Sequence, residues 1–179
     1  MTAAGPYRTV VMDPPWRTAS AGPNSIPCGG KVRRSLDYDT MSDSEIAAFP
    51  IDRFAAPESS LFIWSTHKKI PVALDLLDAW GFNYYFTFTW AKRGGLTMQG
   101  IHRSTEFAVF GYRGPYPLPY EAPALPAVFG GSSGRHSEKP ATFYKMLRAK
   151  TRPPRIDIFA RRRHGGFDSW GNQAAGLRQ

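Results

Sequence analysis

The stretch Tyr7-Arg8-Thr9-Val10-Val11-Met12-Asp13-Pro14-Pro15-Trp16 decides how the rest of the chain is read. Six residues rich in β-formers run straight into a carboxylate and two prolines. Proline has no N–H to give to a strand ladder, so the pattern predicts a strand over Tyr7–Met12 that stops at Asp13. In open α/β sheets the ligand crevice lies beyond the carboxyl ends of the strands. Asp13 is therefore expected where chemistry is done.

Working outward, strand-like and helix-like segments alternate. Ser42-Asp43-Ser44-Glu45 has the spacing of a capping box and predicts a short helix to about Phe49. Leu61–Trp64 reads as a buried strand. Lys69–Trp80 reads as a helix with Ile70, Leu74 and Leu77 on one face and Gly81 as its stop. Tyr84–Ala91 and Thr105–Tyr112 read as strands with no helix between them, which calls for an antiparallel pair. Their aromatics Tyr84, Tyr85, Phe86, Phe88 and Trp90 read as strand core. Pro140–Arg148 reads as a helix with proline in its first turn, and Ile156–Phe159 as the final strand. Three stretches, Arg17–Ser35, Arg93–Ser104 and Arg113–Ser137, lack regular signals and read as functional lids, because each follows a predicted strand. The expectation is a single α/β domain over residues 1–179, a mostly parallel sheet with helices on both faces.

Composition narrows the function classes. The 179 residues are 42% hydrophobic and 14% aromatic, enough for a packed core rather than wholesale disorder. Cys28 is the single cysteine, so no internal disulfide or multi-cysteine zinc site can form, which fits a reducing compartment. His67, His102, His136 and His164 are scattered without ligand spacing, and no metal is expected. Met1–Pro6 lacks the blocks of a secretory signal, and no apolar run approaches the roughly 18 residues of a membrane span, so the expectation is a soluble cytoplasmic protein without a membrane partner. The net charge is +9, and from Lys145 to Gln179 nine basic side chains face two acidic ones. Arg161-Arg162-Arg163 lies in that stretch, and clustered arginine attracts a phosphate backbone, although it equally serves as a solvated surface.

Asp13-Pro14-Pro15-Trp16 has its own chemical logic. As a structural motif it is a strand-ending turn with a tryptophan folded into the core. As a functional one it suits an exocyclic amine such as that of adenine, whose lone pair is delocalised into the ring. Attack on a methyl group makes that nitrogen pyramidal and builds positive charge on its hydrogens. Two fixed acceptors aimed at those hydrogens stabilise the transition state more than the ground state. The Asp13 carboxylate is one acceptor and the Pro14 carbonyl the other; the paired prolines restrict φ and hold that carbonyl outward. Trp16 offers a flat face for a base.

The motif resembles that of amino-group methyltransferases, and more narrowly the chain resembles the MT-A family. Further blocks recur in the family's order: Tyr38-Asp-Thr-Met-Ser-Asp-Ser-Glu45, Leu61-Phe-Ile-Trp64, Trp80-Gly-Phe82, Trp90-Ala-Lys92, Glu106 with the apolar strand to Gly111, Ser137-Glu-Lys-Pro140, Ile156-Asp-Ile-Phe-Ala-Arg161 and Trp170-Gly-Asn-Gln173. The resemblance implies a Rossmann-like sheet permuted so that the catalytic strand comes first and the cofactor strand last. It implies S-adenosyl-L-methionine as cofactor and methylation of the adenine N(6) amino group in nucleic acid, with DNA favoured. RNA as substrate, or a non-catalytic nucleic-acid-binding subunit, are the other readings. A homodimer or a heteromeric partner fits so small a domain.

Residue by residue, the resemblance implies that Asp13 and the Pro14 carbonyl hold the amino group, with Pro15 completing the motif and Trp16 and Tyr38 packing on the base. Glu106 would sit beside the base. Lys139, within Ser137-Glu138-Lys139-Pro140, would meet the cofactor carboxylate, with Asp13 and Ser137 nearby. Phe159 and Arg161 would lie on the cofactor turn, and Asn172 and Gln173 on its sugar. Arg161-Arg-Arg-His164-Gly-Gly departs from the family in that turn. Rival motifs are weaker: Gly130-Gly-Ser-Ser-Gly134 is not followed by Gly-Lys-Ser/Thr as a P-loop requires, and no nucleophile elbow surrounds His136-Ser137.

Overall fold

The first strand, β1 (Tyr7–Met12), lies in the interior of a seven-stranded sheet and stops at Asp13, as its sequence dictates. The structure, a computed structural model, describes residues 6–17, 40–98, 100–119, 124–132 and 138–171. It comprises two compact units, Met1–Pro14 with Pro50–Gln179 as one and Pro15–Phe49 as the other.

The larger unit carries the sheet. After β1 come β2 (Ala55–Ser65), helix α2 (Ile70–Ala79), β3 (Asn83–Met98), β4 (Ile101–Arg113), β5 (Val128–Gly130), helix α3 (Ala141–Lys150), β6 (Arg155–Ile158) and β7 (Asp168–Trp170). Their order across the sheet is β5-β3-β4-β2-β1-β6-β7. The β1–β2, β1–β6, β3–β5 and β6–β7 pairs are parallel, and β2–β4 and β3–β4 are antiparallel. The mostly parallel sheet and the antiparallel β3–β4 pair agree with the sequence reading.

Register assigns each side chain to a face, since partners across a ladder share a face and residues two apart along a strand return to it. Phe62 pairs with Val11 and Phe110, and Val11 also pairs with Asp157. This face is covered by α3: Phe143 stands 6.0 Å from the Phe62 ring and 4.7 Å from the Trp64 ring. The opposite face holds Leu61 and its partner Gly111, whose missing side chain leaves room for Leu77 of α2. Helices thus cover both faces. The α3 side contains an aromatic core of Phe62, Trp64, Phe88, Trp90, Phe110, Phe129 and Phe143.

Several boundaries differ from expectation. β2 begins six residues before Leu61, because Pro57 is accommodated outside the stretch where β2 pairs with both neighbours. The buried positions of α2 are Ala73, Leu76 and Leu77; Ile70 and Leu74 are only half-buried at the rim of that face. Phe88 and Trp90 are core, but Tyr84, Tyr85 and Phe86 are exposed to 52%, 51% and 38%. They precede the point where β5 joins β3, at Thr89, so no strand covers that edge. The stretch Arg93–Ser104 is mostly strand, because β3 and β4 continue as a ribbon held by backbone pairing that needs no apolar face. β5 lies within the stretch Arg113–Ser137, and β7 follows the strand expected to be last. No helix among the described residues is long and apolar enough to cross a membrane.

The smaller unit contains α1 (Asp43–Ala47). Its expected capping box is present: the Glu45 N–H donates to Ser42 Oγ at 3.2 Å, and the Ser42 N–H donates to Glu45 Oε2 at 2.7 Å. Such a cap is worth about 1 kcal/mol. Trp16 forms a bridge with Met41, whose N–H donates to the Pro15 carbonyl at 2.8 Å.

Candidate active site

Alternation along the strands brings the chemistry of the larger unit to one place. Val11 belongs to the α3 face, and so does Asp13, two residues on. Glu106 belongs to that face through Phe110 and Ala108, and pairs with Trp90. Lys139 immediately precedes Pro140, the residue that caps α3. The start of α3 is fixed against β5, because Thr142 Oγ1 donates to the Gly130 carbonyl at 2.8 Å and Trp90 Nε1 donates to the Gly131 carbonyl at 3.1 Å. A Cβ on Gly131 would stand 2.7 Å from Pro140 Cβ, so only glycine permits this approach.

The result is a chain of alternating charges. Lys139 Nζ lies 3.0 Å from Asp13 Oδ1 and 3.3 Å from Glu106 Oε2, and Lys92 Nζ lies 3.0 Å from Glu106 Oε1. The Lys139 and Asp13 side chains are 8% and 12% exposed, so these are largely dehydrated pairs rather than surface contacts. Lys139 also stands 5.2 Å from the centre of the Trp64 ring. Burial works to lower the Lys139 ammonium, but Asp13 and Glu106 outweigh it and raise it above its ordinary value. Burial likewise works to raise Glu106, and Lys139 and Lys92 overcome it and hold the carboxyl below its usual value. Lys139 and Glu106 are therefore both charged at neutral pH.

Beside them lies a small, solvent-open cleft lined by Asp13, Glu138, Lys139, Tyr144, Asp157, Phe159, Ala160, Arg161, Arg162 and His164. It opens at the carboxyl ends of β1 and β6, where the fold rule places a ligand. Phe159, directly after β6, has φ 62, which turns the chain sharply at the cavity wall. Asp157 is 2% exposed and accepts a hydrogen bond from the Tyr144 hydroxyl at 2.8 Å, while its Oδ1 has no hydrogen-bond partner. Burial pushes its carboxyl up to about 8, despite the Tyr144 hydrogen bond. The His164 ring stacks on Tyr144 with centroids 3.4 Å apart, and burial, reinforced by Arg162, lowers it to about 4. Lys139 for a carboxylate and the unpartnered Asp157 Oδ1 for an ammonium suit the amino-acid end of S-adenosylmethionine.

Of the residues singled out from sequence, Asp13, Lys139, Phe159 and Arg161 line this cavity, and Glu106 joins through Lys139. Pro14 is buried at the end of the larger unit, and Pro15 and Trp16 begin the smaller one, with Trp16 buried. Tyr38, Ser137, Asn172 and Gln173 lie outside the described residues, as does Cys28. Sequence reasoning missed Lys92, Tyr144, Asp157 and His164. The signal for Asp157 was a carboxylate between two isoleucines in a buried strand, and buried charge with a perturbed pKa marks functional sites.

A mostly parallel sheet with an acidic group and a buried lysine gathered at its carboxyl edge is consistent with a Rossmann-like methyltransferase fold. The chain belongs to the MT-A70 family, whose sequence model matches residues 7–173. It is 25% identical to the type II methyltransferase M.MunI of Mycoplasma sp, over 92% of this chain and 76% of that protein. It is 25% identical to an Arabidopsis thaliana N(6)-adenosine-methyltransferase MT-A70-like protein, over 99% of this chain and 25% of that protein. It is 26% identical to the human N(6)-adenine-specific methyltransferase METTL4, over 93% of this chain and 37% of that protein. The chain thus spans three quarters of the first relative but far less of the other two. It is an enzyme of the methyltransferase class, and methyltransferases of this family generally use S-adenosylmethionine.

Proposed function

We propose that the chain transfers a methyl group from S-adenosylmethionine to the N(6) amino group of adenine in nucleic acid, with residues 1–179 acting as one methyltransferase domain. The observation that carries this reading is the Asp13–Lys139 pair at 3.0 Å on the cavity wall of an MT-A70 chain. DNA is favoured because, of the three relatives named above, the type II methyltransferase M.MunI is the one whose length the chain most nearly spans. A second copy or a partner subunit would complete the grip on the substrate, and the cytoplasm is the compartment that goes with this reading.

When bound, the cofactor supplies an electrophilic methyl carbon on a sulfonium. Lys139 would hold its carboxylate, Asp157 its ammonium, and Phe159, Arg161, Asn172 and Gln173 the rest. With Lys139 holding that carboxylate, an Asp13 oxygen would be available to accept an amino hydrogen, and the Pro14 carbonyl would accept the other. The Asp13 carboxylate would also take the proton that the methylated nitrogen sheds. Glu106, held by Lys92 and Lys139, would sit beside the base; by the family resemblance Trp16 and Tyr38 would pack on the base, and Ser137 would serve the cofactor. A non-catalytic platform would have no need of this buried acid–lysine pair.

The test is incubation with labelled methyl donor and matched DNA and RNA oligonucleotides, followed by nucleoside mass spectrometry. N(6)-methyladenine is expected, and Asp13→Ala should lower its rate on the order of 10²–10³-fold or more while donor binding persists. Full activity in that variant, or product on cytosine, would overturn the reading.

A further inference from the structure

We infer that the β3–β4 ribbon beyond the sheet is the element that grips the phosphate backbone of the nucleic acid whose base is methylated. The inference rests on the proposed function and names the surface that serves it. β2 pairs with β4 only as far as Ser65↔Phe107, and β5 pairs with β3 only over Thr89–Ala91. Beyond those points, among the described residues, β3 and β4 pair only with each other, through Leu96↔Arg103, Thr97↔His102 and Met98↔Ile101. Residues 92–95 bulge opposite Ser104, so the shorter β4 arm, residues 101–105, sets the reach at roughly 13 Å at about 3.3 Å per residue.

Direction follows from topology. β1 and β2 are parallel, and β4 runs antiparallel to β2. The ribbon therefore projects past the sheet edge at which β1 delivers Asp13, and Glu106 sits at its base. Its composition is one-sided: residues 91–105 include Lys92, Arg93, His102 and Arg103 and no Asp or Glu. Lys92 is engaged by Glu106, whereas the Arg93 side chain is exposed and Arg103 half-exposed.

A second basic element is pinned against the same base. The turn His67–Lys69 follows β2, and the His67 ring stacks edge-on against Phe107 at 4.6 Å with its Nε2 2.8 Å from Thr105 Oγ1. Exposed Lys68 thereby stands beside the root of the ribbon. A two-stranded ribbon has the width of the B-DNA major groove, and a stretch from 91 to 105 that holds Lys92, Arg93, His102 and Arg103 and no Asp or Glu matches a polyanion rather than a protein surface of mixed sign. No aromatic side chain need be invoked, so the contact is to phosphates and gives affinity without sequence choice.

The experiment compares Arg93→Ala/Arg103→Ala with a charge-matched control, Arg8→Ala/Arg53→Ala. Arg8 and Arg53 are exposed at the opposite edge, near the amino ends of β1 and β2. Fluorescence anisotropy with labelled adenine-containing DNA and RNA, single- and double-stranded, is read from 50 to 200 mM salt. The ribbon variant should bind roughly 10–100-fold more weakly, with a log–log salt slope smaller by about 1–2. Its KM for nucleic acid should rise with kcat and methyl-donor affinity retained, which also reports an intact fold. The control should stay within about twofold of wild type. Equal losses in both variants, or an unchanged slope in the ribbon variant, would overturn the inference while leaving the methyl-transfer reading intact. Failure of the wild type to bind any of the four nucleic acids would overturn both. The four arms also decide which backbone, deoxyribose or ribose, the ribbon prefers.

Discussion

Asp157→Asn isolates the most heavily perturbed carboxyl among the described residues. The unfolded chain ionises this group near 3.8, and burial in the fold raises it to about 8. Between those values the native state binds a proton that the unfolded state has lost, so stability is full below pH 3.8 and falls as pH rises to 8. The linkage slope is about 1.4 kcal/mol per pH unit. His164 acts in the other direction: its ordinary value is 6.5 and its folded value about 4, so its stability contribution is present above 6.5 and lost as pH falls toward 4. In the wild type the two slopes oppose each other between about pH 4 and 6.5, and the Asp157 loss emerges above that. From pH 6.5 to 8 it amounts to about 2 kcal/mol.

Asparagine keeps an acceptor for the Tyr144 hydroxyl and removes the titration. Urea unfolding of both proteins at half-unit steps from pH 6 to 8.5 gives the difference directly, free of groups common to the two. The stability difference should move in favour of asparagine by about 2 kcal/mol across the window from pH 6.5 to 8. A difference that stays constant with pH, or moves toward aspartate, would refute the claim that Asp157 is buried as the neutral acid.

Gly171→Ala should lower the thermal midpoint by roughly 3–10 °C in a melting scan, because at φ 150 the new Cβ would stand 3.0 Å from Phe159 Cα and 3.1 Å from the Ala160 nitrogen, backbone atoms that cannot step aside. Tyr7→Phe removes the 2.8 Å hydrogen bond from the Tyr7 hydroxyl to Asp168 Oδ2, which ties the first strand to the last. It should cost about 1 kcal/mol in a denaturant titration.

Where backbone preference and burial agreed, the sequence was enough. Tyr7–Met12 is bounded by a change from β-formers to prolines, and Ser42 with Glu45 caps a helix by chemistry wholly local to four residues. The ribbon was not legible: a strand pair standing clear of the core carries no alternation of apolar and polar residues, and Gly94-Gly95 argued for a loop. β5 and β7 are three residues each and exist through their neighbours' hydrogen bonds. For the site, Asp13 and Lys139 were visible as motif residues, but not that they face each other at 3.0 Å across 126 positions of sequence. Tyr144 and His164 gave no local sign, because their meaning lies in a stack formed only when α3 folds over the end of β6.

The shared face of Asp13, Glu106 and Asp157 makes the site a matter of parity. Lengthening β1 by two residues would carry its carboxylate about 7 Å outward but keep it on the side of the lysine. Lengthening it by one would turn the carboxylate toward α2, away from every group it serves, with the sheet otherwise able to form. Insertions of odd and even length in this strand therefore divide sequences that can keep the chemistry from those that can keep only the scaffold.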